Sequence, residues 1–121
     1  MRELQEFTKK YQKELNYHIK DDSYERSKGS LLMNHMLLST EVAEIAELLR
    51  ELFIITEKKI QEGFEEQEAF KLAQEHISMD LGKEISDCMA YLCKLSNFFK
   101  RDMEKDFYEK MDEVRKRVNR I

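Results

Sequence analysis

Residues 31–61 read LLMNHMLLSTEVAEIAELLRELFIITEKKIQ. Apolar side chains recur through this stretch at intervals of three and four: Leu31, Leu32, Met36, Leu37, Val42, Ile45, Leu48, Leu49, Leu52 and Phe53. That is the period of an α-helix, and the apolar face is wide enough to predict a helix central to a bundle. Neither proline nor glycine interrupts it. Ser30 is placed to cap its start, and Gly63 to end it or mark a turn.

The same period extends outward on both sides. Leu4, Phe7, Tyr11, Leu15 and Ile19 form one stripe, which predicts a first helix over about Arg2–His18. The stretch KDDSYERSKGS, residues 20–30, has no stripe and reads as a loop. Beyond Gly63, the charged piece from about Glu65 to His76 predicts a short helix in a connecting segment. Ser78 then opens a long helix, about Met79–Lys100, carrying Leu81, Ile85, Met89, Leu92, Leu95, Phe98 and Phe99. A last helix is expected over about Glu104–Arg120, with Phe107, Tyr108, Met111, Val114 and Val118. The expectation is an all-α single domain over residues 1–121: an antiparallel four-helix-type bundle with an extra short connecting helix.

Composition agrees. A β-sandwich needs a turn residue every ~8–12 positions, and 121 residues with three glycines and no proline cannot supply that. At 41% hydrophobic, the chain has the apolar mass for a core. Its 25 acids against 21 bases give a net charge of -4, which does not suit a phosphate backbone, so no nucleic-acid partner is expected. No apolar window is long enough for a membrane span, and the start MRELQEF does not resemble a signal peptide. Cys88 and Cys93, five apart on a helical pattern, fall on different faces and cannot pair within that helix. Two free thiols point to a reducing compartment, and the cytoplasm is the expected location.

Certain acids stand where apolar residues are expected. Glu41 and Glu44, three apart, share a helix face with Leu37, Leu48 and Ile55. Glu84 and Asp87, also three apart, share a face with Tyr91, Leu95 and Phe98. Glu-x-x-Glu pairs are common on solvated faces, and that reading stays open. If instead the four acids gather in the interior, a hard divalent cation must offset them: Mg²⁺ first, Mn²⁺ second. Mg²⁺ commonly takes its remaining ligands from substrate phosphates. A ferritin-type di-iron bundle needs Glu-x-x-His, but His18, His35 and His76 are preceded at that spacing by Leu15, Leu32 and Ala73. Asn34 and His35 stand about two turns before Glu41, and His35 reads most simply as a core or interface histidine.

The segments STEVAEIAELLREL and LGKEISDCMAYLCKLSN resemble the MazG-like all-α nucleotide pyrophosphohydrolases, most closely the branch that includes dCTP pyrophosphatases. The resemblance covers about Leu31 to Arg120. It implies Mg²⁺-dependent cleavage of a nucleoside triphosphate, a dNTP or a modified nucleotide, between the α and β phosphates. It implies metal ligation by Glu41, Glu44, Glu84 and Asp87. Glu44 or Glu41 would orient or deprotonate the attacking water, with Glu47 a weaker candidate. Tyr91 resembles a family tyrosine that touches phosphate. Lys110 and Arg117, in KMDEVRKR, resemble the family's phosphate-contacting cations. A homodimer or homotetramer is implied as well, with Phe53, Ile54, Phe98 and Phe99 available to an interface.

Three positions depart from the pattern. Val114 stands where members often carry Asn, Thr40 where many carry Glu, and residues 57–76 lengthen the gap between Glu44 and Glu84. The rival readings are an inactive relative that binds nucleotide or a partner, and a metal-free helical interaction module.

Overall fold

A computed structural model describes residues 1–119, which form four α-helices: α1 (Arg2–Glu14), α2 (Tyr24–Gln61), α3 (Glu66–Phe98) and α4 (Met103–Asn119). No strand occurs among the described residues, as the glycine and proline counts require. Arg120, the expected end of the last helix, lies outside the described residues. No helix is long and apolar enough to cross a membrane among them.

Helix ends, rather than helix existence, separate the structure from the sequence pattern. α2 starts at Tyr24, inside the expected loop, because Ser23 caps it: its Oγ accepts the Arg26 N–H at 3.2 Å. Ser30 caps nothing. Its Oγ accepts the Lys20 N–H at 3.2 Å, while Ser27 Oγ donates to the Lys20 carbonyl at 2.6 Å. The expected short connecting helix is absent as a separate element. It is the start of α3, which runs unbroken through Ser78. Glu65 begins that helix, its Oε2 accepting the N–H groups of Gln67 (3.0 Å) and Glu68 (3.1 Å). No proline or glycine follows before Gly82 to stop it.

Three helices end in the same way. In each, the N–H of the third residue past the helix end reaches back five residues, and the residue before it is left-handed. Tyr17 bonds the Gln12 carbonyl past Asn16 (φ 59), which stops α1 at Glu14 rather than His18. Phe64 bonds Lys59 past Gly63 (φ 103), and Arg101 bonds Ser96 past Lys100 (φ 58). Glycine takes this conformation freely, whereas Asn and above all Lys adopt it at a cost.

The chain packs as two compact units. The first comprises residues 1–34 and those from Ala90 onward, and its interior is partly amide. Gln5 Nε2 donates to Asn97 Oδ1 (3.1 Å) and to the Arg101 carbonyl (2.9 Å). Gln5 Oε1 accepts the Met103 N–H (2.8 Å), and Asn97 Nδ2 donates to the Gln5 carbonyl (3.1 Å). Gln12 Nε2 reaches the Ala90 carbonyl, and Asn34 Nδ2 the Tyr91 carbonyl. Ile19 and Cys93 are the buried apolar residues beside them. α1 therefore turns its glutamine face inward. Its apolar stripe is outside, with Phe7 66% and Tyr11 51% exposed, contrary to the usual inward stripe. α4 has no buried residue, and Phe107 and Tyr108 are exposed.

The second unit, residues 35–89, is an antiparallel hairpin of α2 and α3 joined by the turn at Gly63. Leu52 meets Ala73 and Ile77, flanked by Ile55, Phe70 and Leu81. Ala69 and Ala73 are fully buried, their small side chains leaving room for close helix approach. The rest of α2's wide apolar face is uncovered, including Met36, Val42, Phe53 and Ile54. Both cysteines are buried free thiols, in keeping with a spacing that prevents pairing within the helix.

Candidate metal centre

The register that sets Leu52 of α2 against Ala73 and Ile77 of α3 also brings acids together. Eleven residues up the hairpin, it sets Glu41 opposite Glu84 and Asp87. Glu84 and Asp87 are about one turn apart and share a face. One carboxylate oxygen from each of the three lies within 4.8 Å of the others.

Like charges this close cannot all stay ionised without a counter-charge. Glu41 is held protonated to about 7, first by its hydrogen bond with Glu84, then by burial and by the charges of Glu84, Asp87 and Glu44. Beside them, burial and the same negative field push the Cys88 thiol up, so it stays protonated. Glu84 Oε2 is buried with no hydrogen-bond partner.

This donor set fits a hard cation. It is oxygen only, it holds an acid in excess of the charge the site tolerates, and one buried oxygen lacks a partner.

The fourth expected ligand lies elsewhere. Glu44 is exposed, one turn along α2, and does not join the three. Asp87 is exposed and Glu41 and Glu84 are half-buried, so the acids sit at the margin of the hairpin and not in its interior. Glu44 instead lines an open hollow of about 550 Å³ together with Glu47, Arg50, Asp80, Lys83 and Glu84. Arg50 pairs with Glu47 at 3.6 Å. Arg50 and Lys83 were not legible as site residues. Their one signal is position, Lys83 adjoining Glu84 and Arg50 standing two turns past Glu44.

The other expected residues belong to the first unit. Tyr91 stands on α3 one turn after Asp87, its ring centroid 5.1 Å from the Lys94 ammonium. Lys110 and Arg117, on α4, both pair with Glu113, at 3.5 and 3.9 Å. Asn34 is buried, whereas His35, in the second unit, is exposed.

Compared with family models, with curated proteins and with solved structures, the chain matches none.

Proposed function

We propose that the protein is a Mg²⁺-dependent nucleoside triphosphate pyrophosphohydrolase of MazG-like type, converting a (d)NTP to (d)NMP and pyrophosphate. The observation that carries this reading is the convergence of Glu41, Glu84 and Asp87, on two helices, into an oxygen cage with one proton too many. The motifs EVAE and EISD, in that order and on those helices, support it.

Glu41, Glu84 and Asp87 would hold the cation, with Mn²⁺ a possible substitute. When bound, Mg²⁺ supplies neutralisation of phosphate charge and activation of water. Glu44, exposed on the adjoining hollow, takes the proton as water attacks the α-phosphorus. The bond from that phosphorus to the α–β bridging oxygen breaks, and pyrophosphate leaves. Lys83 and Arg50 offer positive charge to the phosphates at the same hollow. A homodimer or homotetramer covers the exposed apolar residues of α1, α2 and α4, and the two free thiols suit the cytoplasm.

The second reading is a nucleotide-binding relative without turnover. It is favoured by Val114 and Thr40 and by Glu44 lying outside the acid cluster. Pyrophosphate release across a panel of dNTPs and NTPs with Mg²⁺ separates the two. Turnover of at least one substrate, abolished in Asp87→Asn with helicity unchanged, is expected. No turnover across the panel defeats the enzymatic reading, and full activity in Asp87→Asn defeats the assignment of the acid cluster as its site.

A further inference from the structure

The first unit contains a hollow of about 300 Å³ between α1, the link that follows it and the last turns of α3. Its charged lining is Lys9, Lys13, Lys94 and Lys100, against the single acid Asp21. In a chain of net charge -4, this is a local inversion of sign. None of these five groups forms an ion pair among the described residues. Surface lysines normally reach a carboxylate or open water. Lys94 has neither in full: it is half-buried, its ammonium 5.1 Å from the Tyr91 ring and 6.0 Å from the Tyr17 ring. Burial lowers its hold on the proton, the mark of a cation short of a counter-charge.

Two further residues line the same hollow. His18 lines it, and His18 Nδ1 is buried with no hydrogen-bond partner. As a donor Nδ1 is free for an incoming acceptor, and as an acceptor it is reached by none of the ammonium groups. Lys100 lines the hollow from the left-handed position that closes α3. The helix stop alone would be served at less cost by glycine.

We propose that this hollow binds a small phosphate-bearing polyanion of about the size of pyrophosphate. Lysines from α1 and from the end of α3 converge on it, which suits an anion with several charged oxygens more than a single carboxylate. Its volume stands at the small end of the range for ligand pockets, about 300–1,000 Å³. The site is separate from the acid cluster, and the inference does not rest on the proposed reaction, although pyrophosphate is a product of it.

The test is calorimetric titration of the full chain with sodium pyrophosphate in EDTA, so that no divalent cation takes part. Orthophosphate, AMP and sulfate serve as parallel ligands. Saturable binding of one pyrophosphate per chain is expected, tighter than sulfate. Lys94→Gln should weaken it at least tenfold, and so should the double variant Lys9→Gln/Lys13→Gln, which touches no buried group. Lys105→Gln, outside the hollow, and Glu41→Gln should leave it unchanged. Tighter binding of orthophosphate or AMP than of pyrophosphate would overturn the assignment of a polyanion of pyrophosphate size. No saturable binding, binding no tighter than sulfate, or an equal loss in Lys105→Gln would overturn it.

Discussion

Glu41 holds its proton up to about pH 7, so a cation bound at the proposed site would have to displace it, and binding would be pH-dependent. Its carboxyl titrates near 7 instead of the ordinary 4.5, because it hydrogen-bonds Glu84 and sits in the field of Glu84, Asp87 and Glu44. About 90% of chains then hold the proton at pH 6 and about 10% at pH 8. Binding Mg²⁺ should release ~0.9 proton at pH 6 and ~0.1 at pH 8, and the apparent Kd should rise about tenfold from pH 8 to pH 6. Calorimetry in two buffers of different ionisation enthalpy reads both quantities. In Glu41→Gln there is no proton to displace, so the pH dependence should flatten while affinity falls. The metal-free fold obeys the same linkage. Between 4.5 and 7 the folded chain binds more protons than the unfolded one, so its stability falls as pH rises through that window and stays low above it. Mg²⁺ should reverse that loss: at a concentration of 100 Kd it adds about 2.7 kcal/mol. With ~2.1 cal/mol/K of unfolding entropy per residue, that is a rise in Tm of about 10 °C for this chain. A flat affinity between pH 6 and 8, with heats independent of buffer at pH 6, would refute the shared-proton account of the site.

Three substitutions test the packing. Gln5→Leu leaves Asn97 Oδ1, the Arg101 carbonyl and the Met103 N–H without their partner and should cost at least about 1–3 kcal/mol in urea denaturation, even though leucine is the more hydrophobic residue. Ile77→Ala opens a cavity against Leu52 and should cost about 2–5 kcal/mol by the same measurement. Gly29→Ala lies inside α2 with nothing within 4 Å of the added methyl group and should raise stability by about 0.5–1 kcal/mol, seen as a higher Tm.

The periodicity of residues 31–61 was sufficient to find α2, because a long apolar face has one stable solution. The starts of α2 and α3 were not legible. Ser23 acts as a cap through one side-chain hydrogen bond and Glu65 through two, and their neighbours offer no stripe to flag them. α1 misleads for a related reason. A stripe shows which face is apolar but not what covers it, and here hydrogen bonds from Gln5 and Gln12 draw the other face inward. The acid cluster was readable to within one residue. Glu41 and Glu44 point about 60° apart on a helix of 3.6 residues per turn, close enough to share a face by spacing. Only the register of α2 against α3 decides that Glu41 meets Glu84 and Asp87 while Glu44 stands aside.

The interior of the first unit bears on the proposed oligomer. Apolar burial is the main force for folding, yet that unit buries chiefly Ile19 and Cys93 beside three amides. It leaves the stacked rings of Phe7 and Tyr11, together with Leu4, Leu15, Phe107 and Tyr108, in water. Covering this surface with a second copy adds the burial the unit lacks. Folding and association are then one equilibrium, and stability depends on protein concentration. A tenfold increase is worth about 1.4 kcal/mol per dimer. Spread over the unfolding entropy of two chains, it should raise the Tm by about 3 °C. A dilution series by calorimetry or circular dichroism reads this directly. A Tm constant across a hundredfold range, with monomers in sedimentation at the top of that range, would show that the apolar stripe of α1 faces something other than a copy of itself.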